Sequence, residues 1–409
     1  MDNAVQGITI LGSTGSIGQS TLSVVDHNPT LFRIDGLSCL NNVEMLAKQV
    51  LKYSPKIVAT GENKSDDLKK LLGNKAKEVH ILEGKEGYIE LASSPGSDKL
   101  VAAMVGAAGI EPVIAGIRSK KTIALANKES MVLAGSLLLS EASKNNVKIL
   151  PIDSEHNAIF QSLYGEKKDH LDYITLTASG GPFRTRNLDD FPSITLKEAL
   201  NHPNWNMGRK ITIDSATMMN KALEIIEAKW LFDIEASQIR VLIHPQSIVH
   251  SMVTFKDAST ICQMGTPDMR IPIANCLGFP KRITSGSKFL NLAEIGTLTF
   301  DEPDLAKFPT IQMAYEVIQL SGGAPAALNG ANEELVSYYL DEDITFIQIF
   351  DSLELLMSKL KTLFASSDIS QFPFLKKIEQ LSDAIQADAW GRNFIKQLFS
   401  KTGELAVNF

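Results

Sequence analysis

Cysteine is rare in this sequence, and its distribution excludes two kinds of covalent scaffold. The three cysteines, Cys39, Cys262 and Cys276, lie far apart in a chain of 409 residues. Such wide spacing matches neither a disulfide framework nor a zinc site, since both need cysteines in close or regular groups. We therefore expect reduced thiols and a cytoplasmic protein.

Long apolar runs and an excess of positive charge are also missing. No run approaches the roughly 20 apolar residues of a membrane-spanning helix, and no basic segment followed by an apolar one precedes the first predicted strand. We therefore expect neither a membrane span nor a secretion signal. The formal net charge of −7 argues against nucleic acid or an anionic membrane as the main partner.

What the sequence does contain is typical of a soluble enzyme with more than one domain. Hydrophobic residues make up 44% of the chain and charged residues 21%, which is the balance of a globular protein. A length of 409 residues exceeds that of one ordinary domain, so we expect two or three.

The first 150 residues alternate short apolar runs with amphipathic stretches. Regular β-α alternation predicts a parallel, doubly wound sheet with helices on both faces. We therefore predict an α/β domain of Rossmann type over residues 1–150, with helices that include 19–26, 42–52 and 130–144. Its predicted strands are 8–11, 32–37, 56–59, 79–82, 101–105, 122–125 and 147–150.

The pattern changes after residue 150. Over residues 151–285 strand-like runs come with fewer helices, which predicts a central α+β domain with a mostly antiparallel sheet. Its predicted strands are 173–177, 211–213, 239–243, 251–255 and 260–264. Residues 286–309 show no convincing period and are predicted to be a linker, and residues 310–409 are predicted to be a C-terminal helical domain.

A glycine-rich loop, Gly12-Ser-Thr-Gly15-Ser-Ile-Gly18, follows the first predicted strand and precedes a helix. At this place in a Rossmann-type domain a dinucleotide pyrophosphate meets a helix N-terminus, and glycines allow close approach of the backbone. A turn without a ligand is the alternative, but the position of the loop favours a cofactor. Asn41 and Asn42, not an acid, follow the second strand, which favours NADP; Asp35, inside that strand, is a weaker argument for NAD.

Two carboxylates, Asp153 and Glu155, follow an apolar strand with one residue between them. On an extended backbone, residues two apart point to the same side, so the like charges need a compensating group. A hard divalent cation such as Mg²⁺ or Mn²⁺ would supply it. A solvated strand end followed by a helix N-terminus, where acids are stabilised, is the simpler interpretation of these residues alone.

A second group of polar residues lies in 214–230, which we predict to be one helix with Ser215 as its cap. Most of its surface is apolar. Its polar stripe consists of Asn220, Lys221, Glu224 and Glu227. Such a stripe usually faces solvent, but a helix this apolar is expected to be buried on most sides, so the stripe can line a cleft. Ser215, Asn220 and Lys221 then suit a phosphate, and Glu224 is a third carboxylate for a cation.

Two loops have compositions that suit a binding site. Residues 177–182 leave a strand with glycine amides able to face an anion. Residues 202–208, with Trp205 and Met207, suit a lid hinged at Gly208, or a surface loop docked by one tryptophan. Composition alone leaves both interpretations of the second loop open.

Single residues elsewhere support two interpretations each. Residues 127–129 lie where a Rossmann-type strand delivers side chains to the cofactor crevice, although Lys128 also suits a solvated helix start. His244 and His250 are, by residue type, more often structural than catalytic.

Together these segments resemble the 1-deoxy-D-xylulose 5-phosphate reductoisomerase family of the non-mevalonate isoprenoid pathway. The resemblance runs in family order over most of residues 7–280, and 151–161 and 214–224 are its most specific parts. The matching segments are 12–18, 126–130, 151–161, 179–183, 202–210, 214–224 and 244–250. The helical tail matches only in character.

The resemblance implies an enzyme that uses NADPH and Mg²⁺ or Mn²⁺, acts on a small sugar phosphate and forms a homodimer through its central domain. The implied metal ligands are Asp153, Glu155 and Glu224. The implied phosphate site consists of Ser179, Ser215, Asn220 and Lys221. Further implied substrate contacts are Lys128, Ser154, Glu155, His202, Trp205, Met207 and Glu224. The implied catalytic residues are Lys128, Glu155, His202 and His250.

The same resemblance implies a set of cofactor contacts. They are Gly12, Thr14, Gly15, Ser16, Ile17, Asn41, Asn42, Asn127, Glu129 and Gly208. Some relatives carry a basic residue where this chain has Asn41 and Asn42, and an uncharged amide binds a 2′-phosphate less strongly. The strength of the preference for NADPH over NADH is therefore left open by the sequence.

The implied reaction rearranges 1-deoxy-D-xylulose 5-phosphate to 2-C-methyl-D-erythrose 4-phosphate and reduces this aldehyde with NADPH to 2-C-methyl-D-erythritol 4-phosphate. A cation on the three carboxylates would polarise the ketone and its neighbouring hydroxyl, and the phosphate site would position the far end of the sugar. The sequence leaves open whether the rearrangement is a retro-aldol/aldol sequence or an alkyl shift. It also leaves open whether Lys128 or Glu155 moves the proton, or whether a metal-bound oxygen needs no separate base.

Two other functions are compatible with part of these features. A metal-independent NAD(P) dehydrogenase for another phosphorylated or carboxylated molecule would leave Asp153, Glu155 and Glu224 without a shared task. A nucleotide-sensing protein without catalysis would need the glycine loop but neither the lid nor the acids.

Overall fold

The computed structural model describes residues 5–203, 205 and 207–400. Asn204 and Asn206 of the predicted lid and residues 401–409 of the predicted helical domain lie outside the described residues. Contacts divide the chain into two compact units. Unit 1 comprises the described parts of 1–130, 138–166 and 262–294, and unit 2 those of 131–137, 167–261 and 295–409. The predicted domain boundaries stay a prediction, because compactness alone assigns no function.

The secondary structure alternates strands and helices in the first part of the chain and is mostly helical in the last. The strands are β1 (Gln6–Leu11), β2 (Phe32–Ser38), β3 (Ile57–Thr60), β4 (His80–Glu83), β5 (Lys99–Ala102), β6 (Thr122–Leu125), β7 (Ile149–Pro151), β8 (Leu171–Ala178), β9 (Ile239–Ile243), β10 (Val249–Phe255) and β11 (Thr260–Met264). The helices are α1 (Ser16–Asp26), α2 (Val43–Tyr53), α3 (Ser65–Leu72), α4 (Gly84–Ser93), α5 (Ile110–Arg118), α6 (Lys128–Asn145), α7 (Ser154–Ser162), α8 (Leu196–Ala199), α9 (Arg209–Ala216), α10 (Met219–Phe232), α11 (Arg270–Gly278), α12 (Leu292–Ile295), α13 (Thr310–Leu320), α14 (Ala324–Leu340), α15 (Phe346–Ala365), α16 (Pro373–Lys376) and α17 (Leu381–Ser400).

Unit 1 contains a seven-stranded sheet in the order β4-β3-β2-β1-β5-β6-β7, and all of its pairings are parallel. β1 and β5 are buried along almost their whole length, as expected of strands covered by helices on both faces. The predicted α/β class with a Rossmann-type sheet is thus confirmed. The strand order reverses between β1 and β5, and ligands of such sheets bind in the crevice at the carboxyl ends of the strands there.

The core of unit 1 joins residues from distant parts of the sequence. Ile8, Ile10 and Val101 of the sheet are buried in one apolar cluster with Ile273 and Leu277 of α11. Fully burying such a side chain stabilises the fold by roughly 1.5–3 kcal/mol. Helix α11 therefore belongs to the packing of this sheet, although more than a hundred residues separate it from β7.

Unit 2 is built on a mixed sheet and the C-terminal helices. The four-stranded sheet has the order β11-β10-β8-β9, in which β8 pairs antiparallel with β10 and parallel with β9. One predicted strand, 211–213, is wrong, because these residues lie in α9. Among the described helices, none combines the length and the apolar composition that crossing a bilayer requires.

Candidate active site

The glycine loop connects β1 to α1 at the carboxyl edge of the unit 1 sheet. Gly12 has a φ of 79°, and its amide donates to Ser38 Oγ at 2.9 Å. Ser13, fully buried, donates through Oγ to Gln49 Oε1 at 2.6 Å. A Cβ on Gly18 would lie 2.5 Å from the Gly12 oxygen. Through Gly12 and Ser13, the buried side of the loop is therefore bound to β2 and α2.

The outer half of the loop faces outward. Thr14 and Ile17 are half-buried, and Gly15 and Ser16 are exposed. Gly15 precedes α1 with φ −76° and ψ 174°, and no side chain caps the first turn of this helix. The amides of such a turn carry a partial positive charge and suit an anion. Thr14, Gly15, Ser16 and Ile17, four of the five loop residues predicted to contact a cofactor, are therefore the accessible part of the loop.

The two asparagines after β2 that are predicted to contact the cofactor differ in their surroundings. Asn42 caps α2, since its Oδ1 accepts from the Met45 amide at 3.0 Å. Asn41 is exposed. Asp35, the weaker argument for NAD, is buried and 2.9 Å from Arg33 Nε, so its carboxylate is engaged inside the sheet.

Residues 127–129 lie at the end of β6, where α6 begins. The Asn127 side chain is buried, accepts from the Ser130 amide at 2.8 Å and donates to the Gly106 carbonyl at 3.0 Å. Asn127 therefore joins the start of α6 to the loop after β5. Lys128 and Glu129 are also buried, and Lys128 Nζ lies 3.2 Å from Asp153 Oδ2. Two of the predicted site residues, Lys128 and Asp153, are thus brought together in unit 1.

The two acids after β7 are not on a strand. Asp153 is the N-cap of α7, and its Oδ1 accepts from the amides of Glu155 at 3.1 Å and His156 at 3.3 Å. Ser154 and Glu155 begin the helix, and Ser154 Oγ donates to Glu155 Oε2 at 2.5 Å. The predicted extended backbone between the acids is wrong, because Asp153 caps α7 and Glu155 lies in its first turn. The two acids nevertheless share one side, since an oxygen of each lies within 4.8 Å of the other.

His156 is a neighbour of this pair that the sequence interpretation missed. It is fully buried, and its Nδ1 lies 3.2 Å from Asp153 Oδ1. Its position three residues after a capping acid was the available signal, since such residues share the first helical turn.

In unit 2 the turn after β8 brings three predicted residues together. Gly180 and Gly181 have positive φ angles of 81° and 66°, so the chain turns back sharply. Ser179 Oγ accepts from the Gly181 amide at 3.2 Å and lies 3.1 Å from His202 Nε2. A Cβ on Gly181 would lie 2.7 Å from the Ser215 carbonyl oxygen. Ser179, His202 and Ser215 therefore surround one turn.

His202 is oriented by the loop that was predicted to be a lid. Its Nδ1 is 3.1 Å from the Trp205 amide, which can only donate, so Nε2 carries the proton of the neutral ring. Burial lowers the pKa of His202 below its ordinary value and keeps the ring neutral. Trp205 and Met207 are half-buried, and Gly208 is exposed with nothing within 4 Å of a Cβ placed on it.

The predicted helix over 214–230 is in fact two helices. Ser215 lies inside α9 and caps nothing, whereas α10 begins at Met219 after Met218, whose φ is 59°. The prediction that Ser215 caps the helix is wrong, because the left-handed residue Met218 breaks the helix after Ser215. Asn220 and Lys221 therefore occupy the first turn of α10.

Helix α10 joins the predicted phosphate donors to a predicted metal ligand. Glu224 is 1% exposed, and its carboxylate accepts from Asn220 Nδ2 at 2.6 Å and from Lys221 Nζ at its other oxygen. Ser215 and Asn220 are half-buried, whereas Lys221 is buried. The charge of the buried carboxylate is thus balanced within one helical turn.

The two histidines of the 244–250 segment differ. His244 Nδ1 is 2.8 Å from the Thr299 carbonyl, its Nε2 accepts from the Ile248 amide at 3.2 Å, and its ring stacks on Phe300 at 4.5 Å. His244 is therefore structural, as its residue type suggested. His250 is buried in β10, and Thr177 Oγ1 donates to its carbonyl at 2.8 Å.

Comparison with known proteins covers nearly the whole chain. The model described as 1-deoxy-D-xylulose 5-phosphate reductoisomerase matches residues 8–135, and that of its C-terminal domain matches residues 149–232. A further model, described as DXP reductoisomerase C-terminal domain, matches residues 264–394.

Individual relatives and solved structures agree with these matches. The 1-deoxy-D-xylulose 5-phosphate reductoisomerase of Chlorobium phaeovibrioides is 48% identical over 95% of this chain and 98% of its own length. That of Trichlorobacter lovleyi is 47% identical over 94% and 95%. A DOX-P reductoisomerase solved with NADPH, fosmidomycin and magnesium is 39% identical, with a TM-score of 0.89 over 97% of this chain and 100% of that one. The enzyme from Zymomonas mobilis with NADPH is 37% identical, with a TM-score of 0.87 over 97% and 100%.

Proposed function

The chain belongs to the 1-deoxy-D-xylulose 5-phosphate reductoisomerase family, and from this premise we propose which of its residues carry the reaction. The enzyme rearranges 1-deoxy-D-xylulose 5-phosphate and reduces the product with NADPH to 2-C-methyl-D-erythritol 4-phosphate, with magnesium as its metal. One observation carries our assignment: the first turns of α10 present Asn220 and Lys221 beside the buried carboxylate of Glu224.

The metal ligands that we propose are Asp153, Glu155 and Glu224. All three are carboxylates, the donors that a hard cation such as Mg²⁺ prefers. Glu224 has one oxygen on Asn220 and the other on Lys221, and a buried carboxylate that accepts from such movable side-chain donors fits a cation ligand. The cation, when bound, polarises the ketone and the neighbouring hydroxyl of the substrate. We propose that manganese supports the reaction as well, because its ligand preferences overlap those of magnesium.

The phosphate subsite that we propose consists of Ser179, Ser215, Asn220 and Lys221. Lys221 supplies the charge, and the first turn of α10 adds the positive end of a 14-residue helix. Ser215 contributes a half-buried hydroxyl beside the Gly181 turn, on which Ser179 also lies. These groups fix one end of the sugar, so that binding energy is used to position the reacting carbons.

The remaining substrate contacts that we propose are grouped around the acids and the 202–208 loop. They are Lys128, Ser154, His202, Trp205 and Met207. The catalytic residues that we propose are Lys128, Glu155, His202 and His250, the last of which is buried in β10. Lys128 lies beside Asp153 and can hold or deliver a proton at a substrate oxygen, as Glu155 can. His202, neutral and donating through Nε2, can hold a substrate or phosphate oxygen. Trp205 and Met207 exclude water when the loop covers the sugar.

The NADPH contacts that we propose lie in unit 1 and at Gly208. The accessible amides of Thr14, Gly15, Ser16 and Ile17 suit the pyrophosphate, and Gly12 gives the turn its shape. A Cβ on Gly15 would meet no other atom closer than 3.4 Å, so the space above it is open to a ligand. Asn41 and Asn42 are proposed to lie at the 2′-phosphate, and Asn127 and Glu129 at the nicotinamide side of the crevice.

The division of labour along the chain follows from these assignments. We propose that residues 1–150 bind NADPH, that 151–285 carry catalysis and dimerisation, that 286–309 are a linker and that 310–409 are a helical domain. We place the enzyme in the cytoplasm, where its free thiols are stable; Cys262 is exposed, and burial raises the pKa of Cys39 and Cys276 to about 12.

A homodimer is part of the proposal. Strand β11 is an edge strand of the mixed sheet, its residues are mostly exposed, and Ile261 is 45% exposed. Exposed edge strands are templates for pairing with another chain. One chain has a mass of 44.7 kDa, and light scattering after gel filtration should give twice this mass. Ile261→Lys should shift the measured mass toward that of the monomer. A wild-type monomer would contradict the proposal.

The proposed function is tested by NADPH oxidation with 1-deoxy-D-xylulose 5-phosphate, with Mg²⁺, with Mn²⁺ and after chelation. We expect turnover with either metal and loss of turnover after chelation. Turnover unaffected by chelation would contradict the metal ligands, and absence of turnover in every condition would favour a nucleotide sensor.

A further inference from the structure

A buried polar network inside unit 2 holds the helix that carries Ser215. Asp214 of α9 is 2% exposed. Asn332 Nδ2, on α14, donates to one of its carboxylate oxygens at 2.8 Å, and Lys210 Nζ lies 3.1 Å from the other. Both oxygens of this carboxylate are therefore held, one from within α9 and one from a different helix.

The network extends from α14 to the last helix described. Lys210 Nζ also lies 3.8 Å from Glu333 Oε1. Arg392 of α17 donates to Glu333 and to Asp388 Oδ2, the latter at 2.7 Å. Asn329 Nδ2 donates to the other Asp388 oxygen at 3.0 Å. Helices α9, α14 and α17 are thus linked through charged and amide side chains.

The two C-terminal helices of this network are packed with their backbones in contact. A Cβ on Gly330 would lie 2.1 Å from the Asp388 carbonyl oxygen, and one on Gly391 would lie 2.0 Å from that of Ala327. Such close packing leaves no room for one helix to slide on the other. Helices α14 and α17 therefore form a rigid support for Asp214 of α9, to which Asn332 donates.

Helix α9 needs such a support. It has only eight residues, and Ile211, Thr212 and Ile213 in its middle are β-branched, with low helix propensity. Isolated helices of this length are not stable in water. A buried carboxylate with its partners is also not needed for stability, because apolar residues of similar volume often stabilise a core equally or more. The network therefore points to the placement of α9 as its purpose.

The placement of α9 matters for the residue after Asp214. Ser215, proposed to bind the substrate phosphate, follows directly, and the Gly181 turn packs on its carbonyl oxygen. The 202–208 loop ends immediately before Arg209, the first residue of α9. A shift of this helix would therefore move a phosphate ligand together with the end of the loop.

We propose that Asp214 and Asn332 are positioning residues for the sugar-phosphate subsite. Through their hydrogen bond, α14 and α17 set the position of α9 and hence of Ser215. This inference rests on the proposed function, because Ser215 is assigned to the phosphate there. The C-terminal helices are thereby part of the apparatus that binds substrate, although none of their side chains is assigned to it.

The test compares two buried asparagines of α14 that lie three residues apart. Asn332→Leu removes the bond to Asp214 of α9, whereas Asn329→Leu removes the bond to Asp388 of α17; both side chains are fully buried. Both variants should lower the thermal unfolding midpoint to a similar extent. Only Asn332→Leu should raise KM for the sugar phosphate, and the inhibition constant of inorganic phosphate, about tenfold. KM for NADPH should be unchanged in both.

Equal effects of the two variants on KM, or an effect of Asn332→Leu on stability alone, would overturn the inference. If Asn332→Leu does not fold, Asn332→Ser provides the same comparison with a smaller change, because its hydroxyl is too short to reach Asp214. Ser215→Ala is measured beside them. An unchanged KM in Ser215→Ala would show that the phosphate assignment itself is wrong, and the inference would fall with it. A raised KM in Ser215→Ala beside a normal KM in the Asn332 variant would overturn only the positioning role.

Discussion

The N-terminus of α1 in unit 1 and that of α10 in unit 2 are both proposed to receive a phosphate, yet they are built differently. At α1 the chain presents backbone amides from a glycine loop, with no basic residue in the loop and no acid in the first turn. At α10 it presents Lys221 and Asn220, with the carboxylate of Glu224 one turn further on. In this proposal the first site recognises its phosphate through backbone amides, and the second recognises its phosphate through charged and polar side chains.

This difference matches what the pyrophosphate of the cofactor and the phosphate of the substrate each require of a binding site. A pyrophosphate that only has to be held can be bound by fixed amides, which need no rearrangement. A substrate that must be held beside a cation needs charges of both signs within a few ångströms, and each charge must be balanced before the ligands arrive. Changes at α10 should therefore affect chemistry, and changes at α1 should affect only cofactor binding.

The largest effect is expected at α10. Glu224→Gln removes the charge proposed to bind the cation while keeping the shape of the side chain, so kcat should fall about 1000-fold. The dissociation constant for NADPH, measured by fluorescence titration, should remain within about twofold of the wild type. Loss of NADPH binding, or of the folded state by circular dichroism, would instead make Glu224 a structural residue and remove the contrast between the two sites.

A smaller effect is expected at α1, where two glycines can be compared. A Cβ on Gly15 meets nothing closer than 3.4 Å, and its φ of −76° suits alanine. Gly15→Ala should therefore leave the unfolding midpoint unchanged and weaken NADPH binding at least about tenfold, because the methyl group occupies the space proposed for the pyrophosphate.

Gly18→Ala is the matched control for the glycine loop. Its Cβ would lie 2.5 Å from the Gly12 oxygen, so this variant should lose stability as well as NADPH affinity. Thermal unfolding and fluorescence titration measure the two effects separately. Unchanged NADPH affinity in Gly15→Ala would show that the backbone of the loop does not approach the cofactor.

The smallest effect is expected from the pH dependence of His202. Burial lowers its pKa, so the unfolded chain takes up the proton first as the pH falls. The contribution of the neutral His202 ring to the free energy of unfolding is therefore present above pH about 6.5. It is lost as the pH falls towards the lowered pKa. The protonated ring also cannot accept from the Trp205 amide.

Thermal unfolding between pH 5 and 8 checks this prediction. The unfolding midpoint of the wild type should exceed that of His202→Gln by about 2 °C at pH 8, and this difference should shrink towards pH 5. Trp205 fluorescence should change over the same range in wild type alone. A difference that is independent of pH would show that His202 acts only through packing.

Local features were predictable from the sequence. The glycine loop, the strand Thr122–Leu125 and the helix predicted over 42–52 depend on residues within a few positions of each other, so a local pattern is sufficient to identify them. The family resemblance also named His202, Ser179 and Ser215, which the structure places around one turn. The local pattern did not predict the helical backbone at Asp153 and Glu155, because the chain turns into α7 sooner than the apolar run suggested.

Helix α9 shows where local information was insufficient. Ile211, Thr212 and Ile213 have the composition of a strand, and in isolation they favour one. In the folded chain they lie in α9, where Asp214 is bound by Asn332, 118 positions away, and no pattern along the chain encodes that contact. The break between α9 and α10 was also not predictable from a local pattern, since Met218 adopts a left-handed conformation that methionine rarely favours alone.

The sequence by itself determined the class of the fold, the place of the cofactor loop and the identity of the carboxylates and donors, because these depend on residue type and short spacing. Only the tertiary structure decided where those groups point. A strand-like segment lies in α9 of unit 2, and packing of α11 on the sheet of unit 1 joins residues more than 250 positions apart, such as Ile8 and Ile273. The physical reason is that a contact between distant residues repays its ordering cost only in the folded chain.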